Sequence, residues 1–455
     1  MEEKKIFSSF RDPSGFLYSN NGVIFRQVNK VYRDDYELLM SSGLYKALVD
    51  ARLLIPHAEA DIPAFDPVKA FKVIRPETIP FISYPYEWSF SQLKDAALVT
   101  LKIQKIAMEF GMSLKDCSAY NIQFYQGGPV LIDTLSFIKY RAGSPWIAYR
   151  QFCQHFLCPL ALAALKDVRL SQLLRIYIDG IPLDIASKLL PWRMSLFHHI
   201  HLHALSQAYF QDKRVKAADY RIGKMSFLSL VDDLESAVTK LGWRPKGTVW
   251  GNYYDEMGYS TDAFEHKKNT VSGFLDTIMP RNCWDLGANT GVFSRIAADK
   301  GIQTFSIDSD PAAVEKNYLE CREKKRKGLL PLLVDLTNPS PGIGWLNEER
   351  AAFIDRGPVD VVMALALIHH LVISGNLTFD MIAEFFSRIC GFLIVEFIPK
   401  DDPQVKRLLA SREDIFGEYS RQSFELWFNR FFSISGRVQL RDSGRFLYLM
   451  KKRDN

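Results

Sequence analysis

From residue 282 onward, short apolar segments alternate with segments of helical periodicity. NCWDLG, QTFSID, LLPLLVD, VDVVMALAL and GFLIVEF are each long enough for a strand, and helical segments separate them. This alternation is typical of βαβ units around a parallel sheet. The last two apolar segments, FFSISGRVQL and RFLYLMKK, predict two consecutive strands joined by a turn at Ser443 and Gly444. The pattern therefore predicts an α/β fold with a mostly parallel sheet and an antiparallel final hairpin.

The chain has 455 residues, which is enough for two to four domains. The clearest boundary is the stretch GWRPKGTVWGN at residues 242–252, because Pro and Gly cluster there and the pattern changes on either side. Residues 144–240 show mainly helical spacing of apolar residues. We therefore predict two domains, residues 1–240 and residues 246–455.

Polar or small residues stand where the predicted strands of the second domain end. A loop rich in small residues follows Asp285, and Asp308, Asp335 and the pair His369–His370 end or follow later strands. The carboxyl ends of parallel strands form the edge at which open α/β sheets bind ligands. The loop alone is weak evidence, since an ordinary strand–turn–helix junction has the same composition, but coincidence across four strands favours a binding site. The loop residues concerned are Gly287, Ala288, Asn289 and Gly291.

On these residues, positions 250–455 resemble the class I S-adenosylmethionine-dependent methyltransferases. DLGANTG is similar to the first motif of that family, and the closing strand pair resembles its sixth and seventh strands. The resemblance implies that S-adenosylmethionine is the cofactor, that Asp285 and the following loop hold it, that Asp308 binds its ribose, and that Asp335 lies near its adenine. Aromatic residues such as Tyr259, before the first strand, are candidates for contact with the donor.

Three residues are candidates for a catalytic base in such an enzyme. His369 and His370 titrate near neutral pH when unperturbed, and Glu396 ends the fifth predicted strand. Each also has a structural interpretation: a histidine can pack beneath the sheet edge or cap a helix, and a glutamate there can end the strand in a salt bridge.

The first domain contains a second motif. Asp116 and Asn121 are five residues apart, and Asp133 follows on an apolar strand. This segment resembles the catalytic loop and metal-binding aspartate of protein-kinase-like and aminoglycoside-phosphotransferase-like folds, so the domain is expected to be a helix-rich α+β domain. The resemblance implies Asp116 as a base, Asn121 and Asp133 as magnesium ligands, and ATP as a second cofactor.

Other parts of the first domain fit this resemblance unevenly. FISYPYEWSF matches the hinge strand, and the helical segment after it matches the helix before the catalytic loop. The usual histidine, a Phe-Gly pair after Asp133 and a glycine-rich phosphate loop are all missing, and Lys30, Lys46 and Lys72 are only candidates for a nucleotide lysine. A degenerate domain used for binding or support is therefore the alternative to an active phosphotransferase.

Composition limits the possible partners. The net charge is only +5, from 57 basic and 52 acidic residues, which makes a nucleic-acid partner unlikely. Motifs of methyltransferases acting on nucleobases are missing, so an oxygen of a small molecule, sugar or lipid intermediate is the favoured acceptor. No segment is long enough to predict a membrane span, and the scattered cysteines suggest a reducing cytoplasm. We expect no resident metal in the methyltransferase domain, and the histidine run at residues 198–203 lacks a metal-binding motif.

The sequence thus predicts a cytoplasmic methyltransferase preceded by a kinase-like domain. Two alternatives stay open: a bifunctional enzyme that also transfers phosphate from ATP, and a non-catalytic binding protein in which both folds are degenerate. The oligomeric state stays open as well.

Overall fold

The computed structural model describes residues 3–190, 222–245, 261–410 and 412–454. It divides into two compact units: unit 1 is Met1–Arg244 with Pro341–Ala351, and unit 2 is Pro245–Ser340 with Ala352–Asn455. The division after Arg244 falls within the predicted boundary region. The inclusion of residues 341–351 in unit 1 was not predicted, because nothing in their composition separates them from the neighbouring residues. The histidine run at 198–203 and Tyr259 lie outside the described residues.

Unit 1 begins with a five-stranded antiparallel sheet in the order β1-β2-β3-β5-β4. Two shorter antiparallel pairs, β6–β9 and β7–β8, follow it. The strands are β1 Glu3–Lys5, β2 Gly15–Asn20, β3 Val23–Asn29, β4 His57–Glu59, β5 Ala70–Pro76, β6 Met112–Leu114, β7 Ile122–Tyr125, β8 Gly128–Leu131 and β9 Phe137–Lys139.

The helices of unit 1 lie between and after these strands. They are α1 Arg33–Ser41, α2 Leu44–Asp50, α3 Phe90–Glu109, α4 Tyr149–Phe152, α5 Cys158–Leu165, α6 Leu173–Ile176, α7 Leu183–Leu189 and α8 Lys224–Lys240. Helix α3 is the helix predicted before the catalytic loop, and Ser89 and Gln92 cap its start reciprocally.

The predicted hinge strand at FISYPYEWSF was wrong. The backbone there is not a strand, and Pro85–Glu87 forms a 3₁₀ turn. Two features of this segment explain the difference. Proline has no N–H to give to a strand ladder, and the Glu87 carboxylate accepts a hydrogen bond from the Tyr84 N–H at 3.0 Å, which closes a turn instead.

The described residues of unit 2 form a seven-stranded sheet in the order β12-β11-β10-β13-β14-β16-β15. The first five positions in this order are parallel, and β16 pairs antiparallel with both β14 and β15. The predicted mixed α/β class is confirmed. The strands are β10 Asn282–Leu286, β11 Gln303–Asp308, β12 Leu329–Leu333, β13 Val359–Ala364, β14 Cys390–Phe397, β15 Phe432–Gln439 and β16 Phe446–Lys452.

Helices connect these strands in βαβ order. They are α9 Thr261–Ile278, α10 Val292–Asp299, α11 Pro311–Glu323, α12 Phe379–Ile389, α13 Pro403–Leu409 and α14 Arg421–Phe428. Val271 and Leu275 of α9 pack with Phe293 of α10 against Val361 and Ile394 of the sheet, and all five side chains are buried. Helix α9 is thereby fixed close to the carboxyl ends of the strands, where the candidate site lies.

Candidate active site

A cavity of about 370 Å³ lies at the carboxyl ends of the parallel strands in unit 2. Its lining comes from the turn after β10, the end of β11, and the loops after β12 and β13. Tertiary structure therefore brings together residues that the sequence separates by up to 108 positions, from Lys267 to Gly375. The predicted cofactor residues in the lining are Asp285, Gly287, Ala288, Asn289, Asp308 and Asp335, whereas Gly291 lies in the turn behind it.

The turn after β10 needs backbone angles that few residues adopt. Gly287 has φ +73°, Asn289 +50° and Gly291 +79°. Asparagine is one of the residues that tolerate this region, which accounts for Asn289 at the middle position. A Cβ on Gly291 would lie 2.4 Å from Nδ2 of Asn317, so glycine is needed for the turn to pack against α11. A Cβ on Gly287 would approach the side chain of Leu367, which also lines the cavity, at 3.1 Å.

Asp308 ends β11 and is held in place by backbone N–H groups. Its Oδ2 accepts from the Asn289 N–H at 2.7 Å, and its Oδ1 accepts from the Asp310 N–H at 2.8 Å. Burial raises the pKa of Asp308 to about 6, although these hydrogen bonds act in the opposite direction. Each carboxylate oxygen can accept more than one hydrogen bond, so both oxygens can still accept from a ligand.

Asp285 is the penultimate residue of β10 and is buried beside the turn. The Ser294 hydroxyl donates to its Oδ2 at 2.5 Å, and burial raises its pKa to about 6. Asp335, after β12, is more exposed, and its Oδ1 accepts from the N–H and hydroxyl of Thr337 at 2.8 and 2.7 Å. With Asp308, these residues place three carboxyl groups around one cavity, an arrangement that favours a cationic ligand.

The three candidate catalytic residues have different surroundings. His370 lines the cavity, and burial lowers its pKa to about 4, so it is neutral at pH 7. The ring of His369 lies beside it, tilted by 40° with ring centroids 4.1 Å apart, but His369 is only 1% exposed and is not part of the lining. Burial, reinforced by His370, lowers the pKa of His369 well below its usual value. Of the two histidines, His370 is the one that a ligand in the cavity can contact.

Glu396 is fully buried in an ion pair. Its Oε2 accepts from Lys267 Nζ at 2.6 Å and from the Ala366 N–H at 2.9 Å. Ala366, which also lines the cavity, has φ +51°, an unfavourable backbone conformation for alanine. Glu396 therefore supports the wall of the cavity, which matches the salt-bridged interpretation of this residue rather than a free base.

Sequence reasoning missed Lys267, which lines the cavity from α9 and is 1% exposed. Burial lowers its pKa, and Glu396 opposes that shift. The sequence did indicate that Lys267 is buried, because Lys267 lies on the same helical face as Phe264 and Val271, three and four residues away. A lysine on an apolar face needs a buried partner.

The kinase-like residues of unit 1 also lie close together. Asp116 Oδ1 accepts from the Ser118 N–H at 2.9 Å and from Gln151 at 2.8 Å, and burial, reinforced by the charge of Asp133, raises its pKa. Asn121 lies in the short turn that precedes β7 and donates to Ser136 Oγ at 3.4 Å.

The carboxylate of Asp133 is already occupied. Its Oδ1 accepts from Arg26 Nη1 at 2.7 Å and from the Leu135 N–H at 2.9 Å, and its Oδ2 accepts from Ser136 Oγ at 2.8 Å. A guanidinium in contact with the carboxylate repels a divalent cation, so these residues do not fit the predicted magnesium site. None of the three candidate lysines contributes: Lys30 donates to the Val68 carbonyl, and Lys46 and Lys72 pair with Asp50 and Glu59.

No known protein-family model matches the chain. Nodulation protein NoeA of Rhizobium meliloti (strain 1021) is 32% identical to it over 461 residues, covering 98% of this chain and 96% of NoeA. The chain belongs to the NoeA family.

Two solved structures with low similarity scores are methyltransferases by name. The bifunctional kinase-methyltransferase WbdD is 20% identical, with 45% of this chain and 43% of WbdD covered and a TM-score of 0.30.

The second of these structures is N-methyltransferase NodS from Bradyrhizobium japonicum WM9. It is 12% identical, with 43% of this chain and 99% of NodS covered and a TM-score of 0.31. The chain thus matches less than half the length of WbdD but nearly all of NodS. Within the described residues, no helix has the length and apolar character needed to cross a bilayer.

Proposed function

We propose that unit 2 binds S-adenosylmethionine and transfers its methyl group to an oxygen of a small-molecule acceptor. When bound, this donor supplies a methyl group on a positively charged sulfur, which is already an activated leaving group. The task left to the protein is to align donor and acceptor and to exclude water. The residues around the cavity suit both parts of that task.

One observation carries the proposal: the carboxyl groups of Asp285, near the end of β10, and of Asp308, at the end of the neighbouring parallel strand β11, line one cavity beside a glycine turn. The two oxygens of Asp308 are oriented by backbone N–H groups and can accept from the two adjacent hydroxyls of a ribose. The positive φ of Gly287 shapes the turn so that its backbone lines the cavity.

The acceptor would lie at the His370 side of the cavity. A neutral imidazole can accept a hydrogen bond from an acceptor hydroxyl and take its proton as the new bond to carbon forms. Burial keeps His370 in the neutral form at pH 7. Asp285, Asp308 and Asp335 favour the cationic donor over its neutral-sulfur product, which helps the product to leave.

Calorimetric titration of the full chain with S-adenosylmethionine tests this proposal. We expect binding, and we expect Asp308→Ala to weaken it about 100-fold, because two hydrogen bonds to a charged acceptor are lost. Asp276→Ala is the matched control, since Asp276 is on α9, pairs with Lys300 at 2.6 Å and does not line the cavity.

Three results would count against the proposal. Absence of donor binding to the wild type, or equal affinities for the wild type and Asp308→Ala, would refute the donor site. Donor binding without formation of S-adenosylhomocysteine in pooled small-molecule extracts would favour the non-catalytic alternative. A second function, phosphotransfer by unit 1, is not proposed, because Asp133 is paired with Arg26.

A further inference from the structure

Residues 341–351 follow β12 and precede β13 in the sequence, yet they pack as part of unit 1. They form a turn in which Ile343 and Arg350 exchange backbone hydrogen bonds of 3.1 and 3.2 Å. Gly344 has φ +84°, and a Cβ there would lie 2.6 Å from the side chain of Glu349. The Trp345 N–H also donates to Glu349 Oε1 at 2.8 Å. The segment therefore has a defined shape of its own.

Glu349 joins this segment to the loop between β1 and β2. Its Oε1 accepts from Arg11 Nη2 at 2.7 Å and from Arg11 Nε at 3.0 Å, and its side chain is only 5% exposed. Burial raises the pKa of Glu349, but the hydrogen bonds from Arg11 and Trp345 outweigh burial and lower it overall. Glu349 is therefore ionised at neutral pH, and the contact is a true ion pair.

The next two residues contact two other parts of unit 1. The Arg350 guanidinium lies 4.3 Å from the ring centroid of Tyr120, and its Nη1 donates to the Ser8 carbonyl at 3.2 Å. The Ala351 N–H donates to the Tyr84 hydroxyl at 2.8 Å. Tyr120 precedes Asn121 in the segment that resembles a kinase catalytic loop, and Tyr84 precedes the 3₁₀ turn at Pro85–Glu87. Residues 349–351 thus contact three parts of the kinase-like domain.

The same β1–β2 loop is held from a second direction. Asp12 Oδ2 lies 3.5 Å from Arg26 Nη2, and the other terminal nitrogen of Arg26 contacts Asp133. Lys115, next to Asp116, donates to Ser14 Oγ at 2.5 Å and lies 3.7 Å from Asp12. Two basic side chains therefore bind the loop to the predicted metal ligand and to the start of the catalytic-loop segment.

Close packing leaves little space beneath the end of this loop. A Cβ on Gly15 would lie 2.0 Å from the Gln27 carbonyl oxygen of β3 and 2.8 Å from Leu135, two residues after Asp133. Arg26 contacts both Asp12 and Asp133, so a magnesium ion at Asp133 would have to displace its guanidinium.

We propose that residues 341–351 are the built-in ligand of unit 1. Unit 1 is then a docking domain for a segment of its own chain and does not bind a magnesium–nucleotide complex. Arg26 provides the positive charge beside Asp133 that a metal would provide in a phosphotransferase. The proposal does not depend on donor binding by unit 2, because each contact that carries it lies within unit 1.

Hydrogen exchange of the full chain, followed by mass spectrometry, tests the docking. The amides of Trp345 and Ala351 should be protected in the wild type, and Tyr84→Phe should speed exchange at Ala351 about tenfold because its acceptor is lost. Glu349→Gln keeps an acceptor for the Trp345 N–H but loses the charge, and should speed exchange across residues 343–351.

The matched control is Tyr18→Phe, because the Tyr18 hydroxyl has no hydrogen-bond partner among the described residues. It should leave exchange in residues 343–351 unchanged. Exchange of the wild-type segment at the rate of an unstructured peptide would overturn the docking.

A thermal-shift titration with ATP and magnesium tests the second part. We expect no metal-dependent rise in the melting temperature of the wild type. A rise that depends on magnesium and is abolished by Asp133→Asn would overturn the proposal, since it would show that Asp133 leaves Arg26 for a metal.

Discussion

The buried pair Lys267–Glu396 gives the sharpest test of the structure of unit 2. Replacing Glu396 by alanine leaves the Lys267 ammonium in the interior without its carboxylate partner, since the two side chains are 2% and 0% exposed. Breaking a buried ion pair from one side costs about 3–5 kcal/mol. Asp285 favours the charged form of Lys267, but Arg445, which lies 3.8 Å from Glu396, disfavours it more, so we expect about 4 kcal/mol.

Two further variants separate charge from hydrogen bonding. Glu396→Gln keeps an oxygen that can accept from the Ala366 N–H and from Lys267, so we expect a smaller loss of about 1–2 kcal/mol. Adding Lys267→Met to Glu396→Gln removes both charges and should restore part of the stability, with a coupling energy of about 1–3 kcal/mol. Glu396→Ala should also weaken donor binding, because the Ala366 wall loses its support.

Hydrogen exchange measures these losses in the intact chain. The slowest amides of β14 report the free energy of unfolding around the pair without requiring unit 2 to fold alone. A loss of unfolding free energy below about 1 kcal/mol for Glu396→Ala would refute the buried pair. Additive effects of Glu396→Gln and Lys267→Met, each measured alone and then together, would refute it as well. Asp276→Ala is a control in the same unit, because Asp276 pairs with Lys300 at 2.6 Å in a more exposed position and should cost less.

Three other predictions concern the cavity. The cationic donor binds the ionised form of Asp308, whose pKa is about 6. Donor affinity should therefore fall by about tenfold per pH unit as the pH drops below 6. Calorimetry at pH 5, 6 and 7 measures this dependence, and an affinity that does not change with pH would contradict the prediction. Gly291→Ala should destabilise unit 2 by about 2–4 kcal/mol, because Gly291 has a left-handed backbone conformation and an added Cβ would meet Asn317. Gly273→Ala on α9 is the control and should stabilise unit 2 by about 0.5–1 kcal/mol. Hydrogen exchange of the β10 amides measures both effects. His370→Gln should leave donor affinity within about twofold but reduce S-adenosylhomocysteine formation about 100-fold or more, and unchanged turnover would exclude His370 as the base.

The sequence by itself determined the strands of unit 2 and the residues at their ends. Strand periodicity, apolar content and turn residues are local properties, and parallel strands must end at one edge of the sheet. The placement of Asp285 and Asp308 at one cavity was therefore predictable. The hinge strand of unit 1 was not predictable from apolar content, because Pro85 and the Glu87 side chain decide the local backbone.

Only the tertiary structure decided which charges meet. Lys267 and Glu396 are 129 residues apart in sequence, and Arg26 and Asp133 come from different strands and turns. Ion pairing depends on distance and burial, which composition does not encode. The structure therefore changed Glu396 from a candidate base into a support of the cavity wall. It also placed Arg26 beside Asp133, where a metal was expected, and residues 341–351 in unit 1. Both placements depend on contacts between distant parts of the chain, which the sequence alone does not show.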